Sequence, residues 1–286
     1  WRAIAWMVGA LLSFIMMAVA GREQSFELNT FQIMFYRSVA GLLIVAGLFW
    51  WQGWRLAKTR RFRDHVVRNV IHFSAQYVWL YGIAVLPLAQ VFAIEFTTPI
   101  WVCILAVPML GEALTRWRAI SILLGFIGAM GVLRPGTGET TFDLTTLVVM
   151  WCAVGFALTN INTKRLVRTD APLTIMFYMA VIQLPIGFFP SLAQGWVWPT
   201  WAMLPWIFVL GAAAMSAHFC LAQALKIADA GLVVPMDFMR LPLIAVVGFL
   251  LYNEVFDPWI LVGAVIIVIG NVINIRASKE TAKTAA

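Results

Sequence analysis

The sequence predicts an all-α integral membrane protein: ten transmembrane helices arranged as two inverted five-helix repeats (5+5). Three observations carry this reading. Of the 286 residues, 62% are hydrophobic and only 12% are charged. The apolar residues gather into stretches of roughly 20, the length that crosses a hydrocarbon core of about 30 Å. The second half of the chain then repeats the first in one ungapped register, 142 positions on (33 to 175).

A soluble domain holds roughly 45–50% apolar and about 25% charged residues. This chain has too little polar surface to cover one water-soluble core, so lipid is the remaining solvent. The candidate spans are 3–20, 31–51, 69–86, 88–110, 117–133, 144–162, 173–193, 201–225, 231–251 and 258–275, with 201–225 the most interrupted. A membrane barrel would alternate apolar and polar residues with period two. These runs are apolar all round, which makes them helices. The chain opens on Trp1, no cleavable signal is visible, and the first span is expected to act as the insertion signal. Cys103, Cys152 and Cys220 lie apart within apolar spans, without CxxC spacing, and read as small core residues.

The net charge of +7 is distributed as a topology signal. With the N-terminus cytoplasmic, the inside segments hold sixteen of the twenty basic residues, including the run Arg55, Lys58, Arg60, Arg61, Arg63 and Arg68. Outside loops hold Arg22 and Arg134, while Arg37 and Arg240 fall within spans. This is the positive-inside asymmetry, and it argues against a nucleic-acid partner. Trp50, Trp51, Trp54, Trp196, Trp198 and Trp201 fall at span ends, as an interfacial aromatic belt does. Both termini are then cytoplasmic.

The repeat shows first in IMFY, at Ile33–Tyr36 and again at Ile175–Tyr178. In the same register Gln52-Gly53-Trp54 meets Gln194-Gly195-Trp196, and Ser74-Ala75 meets Ser216-Ala217. Glu95-Phe96 meets Asp237-Phe238, Glu112 meets Glu254, Trp117 meets Trp259, and Ile127-Gly128 meets Ile269-Gly270. Apolar composition alone does not produce so many matches that include Trp, Gln and acids. The implied organisation is one five-helix repeat at 1–138, a second at 143–280, and a cytoplasmic tail at 281–286. Five is odd, so the second copy enters the membrane from the opposite side. Inverted repeats are typical of secondary transporters, which expose a midplane site to each side in turn. A channel or a doubled scaffold is the alternative.

The Phe35-Tyr36-Arg37 stretch, Leu110-Gly111-Glu112-Ala113-Leu114, and the glycine spacing Gly125, Gly128 and Gly131 resemble the drug/metabolite transporter superfamily in its EamA-type ten-helix branch. Asn253-Glu254 with Gly263 and Gly270 repeats the pattern in the second half. The resemblance covers almost the whole chain. It implies export of small metabolites, and it is nearest to bacterial YddG-type amino-acid exporters of aromatic or neutral substrates. Nucleosides, S-adenosylmethionine and nucleotide-sugars are the alternatives within the fold. It further implies a multi-pass protein of the bacterial inner membrane. At the position equivalent to Arg37 the second half carries Met179, so any role of Arg37 has no symmetric partner.

Ionisable groups within spans cost about 2.5–3.5 kcal/mol on insertion scales, so each requires an account. Glu95 in span four and its repeat mate Asp237 in span nine are each followed by proline, Pro99 and Pro242, with Pro235 also in span nine. Proline interrupts the helix ladder, and interrupted helices at matching places point to a transporter's substrate site. Glu95 is a candidate proton-coupling acid or partner for a substrate ammonium, against a simple hydrogen bond to a neighbouring helix. Asp237 and Arg240, three apart, share a face and form either a structural ion pair or a substrate contact. Arg37 is expected to snorkel to the outer interface. On span three, His72, Gln76 and Trp79 form one stripe beside Tyr77 and Tyr81, and Gln76 corresponds to His218 in span eight. Such a mixed surface suits an amphipathic ligand, although ordinary packing explains any single ring. Thr98, Trp101 and Asn160 complete the substrate-binding candidates, with Pro99 and Pro242 as hinges. Glu112 and Glu254 read as caps on helix N-termini, and Gly125 and Gly128 as close-packing residues.

Other classes fit less well. There is no HExxH for an intramembrane metalloprotease and no Gly-rich phosphate loop, so neither an enzyme nor ATP-driven transport is expected. His72 and His218 could ligate a haem between them, but they are not repeat-equivalent, which argues against it. A channel would show charge rings or a filter sequence. The expectation is a carrier with no catalytic residue, metal or cofactor. Its partners are a small substrate (an amino acid), membrane lipids and protons as a candidate co-substrate, and a monomer is compatible with this design.

Overall fold

In each of the ten predicted spans the described residues are predominantly helical. The computed structural model describes residues 1–25, 27–85, 91, 94–133, 144–252 and 259–284. The repeat boundary at 138 and 143, and Arg134, Asn253 and Glu254, lie outside them. In chain order the helices are α1 (Arg2–Gln24), α2 (Thr30–Gln52), α3 (Phe62–Val85), α4 (Thr98–Leu110) and α5 (Arg116–Leu133). They continue as α6 (Leu144–Leu166), α7 (Pro172–Ala193), α8 (Leu204–Ile227), α9 (Ala230–Val233), α10 (Arg240–Tyr252) and α11 (Trp259–Thr284). Short 3₁₀ segments run over Trp54–Ala57 and Val234–Met239. Among the described residues five helices are long and apolar enough to cross a membrane: α1, α2, the 147–166 part of α6, α7 and α8.

Two compact units emerge, and each takes helices from both halves of the sequence. Unit 1 comprises Trp1–Tyr77 and Asn162–Ile227; unit 2 comprises Val78–Ile161 and Ala228–Ala286. In unit 1, α1 lies along α8 and α2 packs between α7 and α8. The repeated IMFY explains part of this packing. Ile33 and Met34 on α2, and Ile175 and Met176 on α7, are all buried. Ile175 and Met176 join Val45, Phe49, Leu166, Met179 and Met215 in one apolar cluster. Ile33 joins Ala20, Leu28, Ala40, Ile207 and Leu210 in another.

In unit 2, α5 and α11 run together. A Cβ at Gly128 would meet the Gly263 carbonyl oxygen at 2.7 Å, and one at Gly270 would meet the Ser121 carbonyl at 3.0 Å. Glycine therefore sets how closely these backbones approach, as its spacing predicts. Phe96, Ala129, Phe238, Leu241 and Ile267 form the adjoining core.

The second repeated tripeptide marks two turns. Gly53 ends α2 at φ +101°, its N–H donating to the Phe49 carbonyl at 2.7 Å; Gly195 follows α7 at φ +91°. Both lie in the left-handed region, where a side chain is strained. Trp50, Trp51, Trp198 and Trp201 beside these turns are exposed, as an interfacial belt requires.

Three sequence expectations are corrected. The segment 201–225, read as the most interrupted, folds as one continuous helix from Leu204 to Ile227. Span three, read as 69–86, already starts at Phe62 as α3, so Arg68 of the basic run is helical and buried. Arg37 does not snorkel: it is 2% exposed, two turns inside α2, and held by amide side chains. In addition, α11 runs past 275 to Thr284, so the described part of the 281–286 segment is helical.

Candidate functional site

Spans four and nine are interrupted as their prolines suggest, and the interruptions place the charged groups. In span four the helical residues Ile94 and Glu95 are followed by a turn at Phe96–Thr97 before α4 begins. Pro99 stands in the first turn of α4, where its missing N–H has no intrahelical partner to lose. In span nine the break is the 3₁₀ segment Val234–Met239, with Pro235 in its first turn and Pro242 in the first turn of α10. A 3₁₀ turn eclipses residues three apart, so Arg240 reaches back to Asp237.

Within unit 2 these breaks assemble one acid–aromatic cluster. The Trp79 indole N–H donates to Glu95 Oε2 at 2.7 Å. Arg240 Nη2 pairs with Glu95 Oε1 and, at 3.1 Å, with Asp237 Oδ2. The guanidinium carbon lies 5.4 Å from the Phe96 ring centroid, and Phe96 stacks on Phe238 at 5.8 Å. Glu95 is 6% exposed. Asp237 Oδ1 is buried with no hydrogen-bond partner. Two carboxylates thus face one guanidinium, and one carboxylate oxygen remains unanswered. Thr98 Oγ1 donates to the Glu95 carbonyl at 2.6 Å, securing the turn beneath the acid. Trp101 and Trp79 pack on the buried patch of Val91, Val149, Cys152 and Ala153. Asn160 is half-buried and Tyr81 is 43% exposed.

Within unit 1 the remaining candidates join a different network. Gln183 Oε1 accepts from Arg37 Nη2 at 2.6 Å, and Gln76 Oε1 accepts from Arg37 Nη1 at 2.7 Å. The Gln183 amide nitrogen donates to His72 Nδ1 at 2.8 Å and to Asn69 Oδ1 at 3.3 Å. Because Nδ1 of His72 accepts, the ring carries its proton on Nε2. Asn69 Oδ1 also accepts from Arg68 Nη1 at 2.9 Å, and Arg68 Nε donates to Thr163 at 2.8 Å. His218 lies edge-on to His72 with ring centroids 4.9 Å apart. Tyr77 stacks on Phe31 at 4.6 Å.

The α3 stripe is therefore divided. His72, Gln76 and Tyr77 belong to unit 1 with His218, whereas Trp79 and Tyr81 belong to unit 2 with Glu95, Thr98, Trp101, Asn160, Asp237 and Arg240. Sequence reasoning missed Arg68, Asn69 and Gln183. Gln183, alone amid the apolar run of α7, was the available signal.

Glu112 is a cap, but of another segment than the helix that follows it. Its Oε1 accepts the Ala230 N–H at 2.9 Å and its Oε2 the Gly231 N–H at 3.2 Å, both at the start of α9. Arg118 lies 3.7 Å from the same carboxylate and pairs with Asp229. Among the described residues no group of three or more His, Cys, Asp or Glu could hold a metal ion.

Comparison with known proteins bears on this arrangement. The chain is 27% identical over 278 residues to an S-adenosylmethionine uptake transporter of Rickettsia prowazekii, covering 97% of this chain and 94% of the relative. It is 29% identical over 261 residues to a riboflavin transporter of Brucella anthropi, covering 88% and 90%. A solved crystal structure superposes over 98% of both chains with a TM-score of 0.84 at 15% identity, which shows a shared fold. The profile of the EamA-like transporter family matches twice, over residues 1–134 and 144–276. The chain thus belongs to the EamA-like transporter family of the drug/metabolite transporter superfamily, a multi-pass membrane protein with ten helices that transports a small molecule.

Proposed function

We propose that the cargo is a small metabolite bearing a cationic centre beside an aromatic ring, with S-adenosylmethionine the leading example. The observation that carries this is the excess of acid in unit 2: Glu95 and Asp237 share one Arg240, and Asp237 Oδ1 is buried without a partner. Leaving such a charge unpaired costs several kcal/mol, which a sulfonium or ammonium would offset on arrival. Trp79 and Phe96 beside the acids add ring surface that attracts a desolvated cation by roughly 2 kcal/mol. The S-adenosylmethionine transporter among the relatives supports this reading. Riboflavin, the cargo named for another relative, has no cationic centre and would leave the acids unanswered.

Export of aromatic or neutral amino acids is the second reading, favoured by the same feature, since an α-ammonium also satisfies an unpaired carboxylate. In either case transport proceeds by alternating access, with the backbone breaks beside Pro99 and Pro242 as hinges. Protons are the candidate co-substrate in either reading. The positive-inside distribution of basic residues supports a bacterial inner-membrane location with both termini cytoplasmic.

The test is uptake of labelled S-adenosylmethionine by the purified protein in liposomes, with competitors. S-adenosylhomocysteine lacks the sulfonium charge and should compete at least tenfold more weakly than S-adenosylmethionine. Glu95→Gln should lose most of that discrimination. Transport of phenylalanine or tryptophan without S-adenosylmethionine would transfer the assignment to amino acids. Transport of riboflavin alone would sink the acid-cluster argument.

A further inference from the structure

Unit 1 contains the opposite charge problem. Arg37 and Arg68 are 2% and 1% exposed, and their partners are Gln76, Gln183, Asn69 and Thr163, all neutral. No carboxylate among the described residues pairs with either. His72 and His218, also buried, lie in the same network and offer no negative charge. A single charge buried without a counter-ion is expensive, and more so for Arg37, which lies within a candidate membrane span. Here there are two, on adjoining helices, linked through Asn69 and Gln183.

Packing alone does not require this arrangement, because leucine or methionine at either place would fill similar volume with no charge to offset. Each guanidinium uses two of its three nitrogens in these bonds, Nη1 and Nη2 in Arg37 and Nε and Nη1 in Arg68. Among the described residues nothing accepts the remaining N–H groups, which can meet a further acceptor. The glutamine and asparagine oxygens orient the two planar forks without neutralising them, and such preorientation lowers the entropy lost on binding. Planar guanidinium forks match the oxygens of a carboxylate or a phosphate. Phe31 and Tyr77, stacked at 4.6 Å, lie on the same two helices as Arg37 and Gln76 and supply a ring surface within the unit.

We propose that the Arg37–Arg68 network of unit 1 is a binding site for the anionic group, carboxylate or phosphate, of a small metabolite. That group would supply the counter-charge that the described residues do not. This inference does not depend on the cation site assigned to unit 2, because it concerns different residues and a group of opposite sign.

The experiment measures thermal unfolding of the purified full-length protein in detergent, at constant ionic strength, with benzoate, phenyl phosphate and the neutral benzamide as probes. Benzoate or phenyl phosphate should raise Tm saturably, and benzamide should not. Which anion acts at lower concentration distinguishes the carboxylate from the phosphate. Half-saturation should shift at least tenfold in Arg37→Gln and Arg68→Gln, and by less in Arg37→Lys, which keeps the charge but loses the fork. Arg37→Lys also serves if a glutamine variant does not fold. Glu95→Gln should leave the benzoate response unchanged, which separates this site from the cation site. No saturable response to either anion, or an equal response to benzamide, would overturn the proposal. So would equal half-saturation in the wild type and all arginine variants.

Discussion

Trp79 donates its indole N–H to the carboxylate of Glu95 at 2.7 Å, joining the end of α3 to the break in span four. That bond fixes which way the acid points. Without it, Arg240 alone among the described residues would hold the carboxylate, which could swing about that one attachment.

Replacing Trp79 by phenylalanine keeps a ring on the Val91–Cys152 patch but removes the donor. A hydrogen bond to a charged group contributes roughly 1.5–3 kcal/mol, so W79F should lower the stability of the detergent-solubilised protein within that range. On the role proposed for Glu95, cargo affinity should fall as well, because the acid is no longer oriented. Thermal unfolding with and without cargo checks both. A Tm equal to that of the wild type would mean that the indole bond holds nothing.

Arg240 is the hinge of the electrostatics. Removing it as Arg240→Met leaves Glu95 and Asp237 facing each other in a buried setting, and breaking a buried pair from one side costs about 3–5 kcal/mol. Adding Glu95→Gln removes one of the two stranded charges, so the double variant should recover much of that loss. A double-mutant cycle by chemical denaturation reads the coupling. Additive effects would show that the three charges act independently.

The sequence shows the elements more readily than their neighbours. The ten apolar segments, the Asp237–Arg240 pair and the interruptions near Pro99 and Pro242 are local features, and all three are present in the structure. Periodicity on α3 places His72, Gln76 and Trp79 on one stripe, but a stripe eight residues long spans about 11 Å of helix. Its two ends then meet different partners: His72 accepts from Gln183, and Trp79 bonds Glu95. Arg37 was misread for a related reason. Whether a span arginine reaches the interface or stays inside depends on an acceptor within reach, and that acceptor is Gln183, 146 residues along the chain. Glu112 likewise caps a helix start 118 residues away rather than the one that follows it in sequence.

That cap gives the third prediction. Glu112→Ala leaves the Ala230 and Gly231 N–H groups without their acceptor and deprives Arg118 of one of its two acids. Loss of a helix N-cap costs about 1 kcal/mol. Amide hydrogen exchange should therefore rise at the start of α9, with little change in α1 or α2, which belong to unit 1. Glu112→Gln keeps one acceptor oxygen and should restore part of the protection. Exchange unchanged at Ala230 and Gly231 would remove the cap from the account.

The repeated turns offer a test in which glycine is replaced by alanine in two backbone settings. Gly53 and Gly195 occupy equivalent repeat positions at φ +101° and +91°, and nothing lies within 4 Å of a Cβ built on either. Space is therefore not the constraint; the backbone is. A side chain in the left-handed region costs roughly 1–2 kcal/mol, so Gly53→Ala and Gly195→Ala should each lower Tm, and by similar amounts. Gly47 also has open space around it, but it lies inside α2 with helical backbone. There alanine is the better helix former by about 0.5–1 kcal/mol, and Gly47→Ala should raise Tm. Three alanines placed in equal room, two destabilising and one stabilising, would show that backbone conformation and not crowding fixes glycine at the QGW turns. A loss of stability at Gly47, or a gain at either turn, would contradict that explanation.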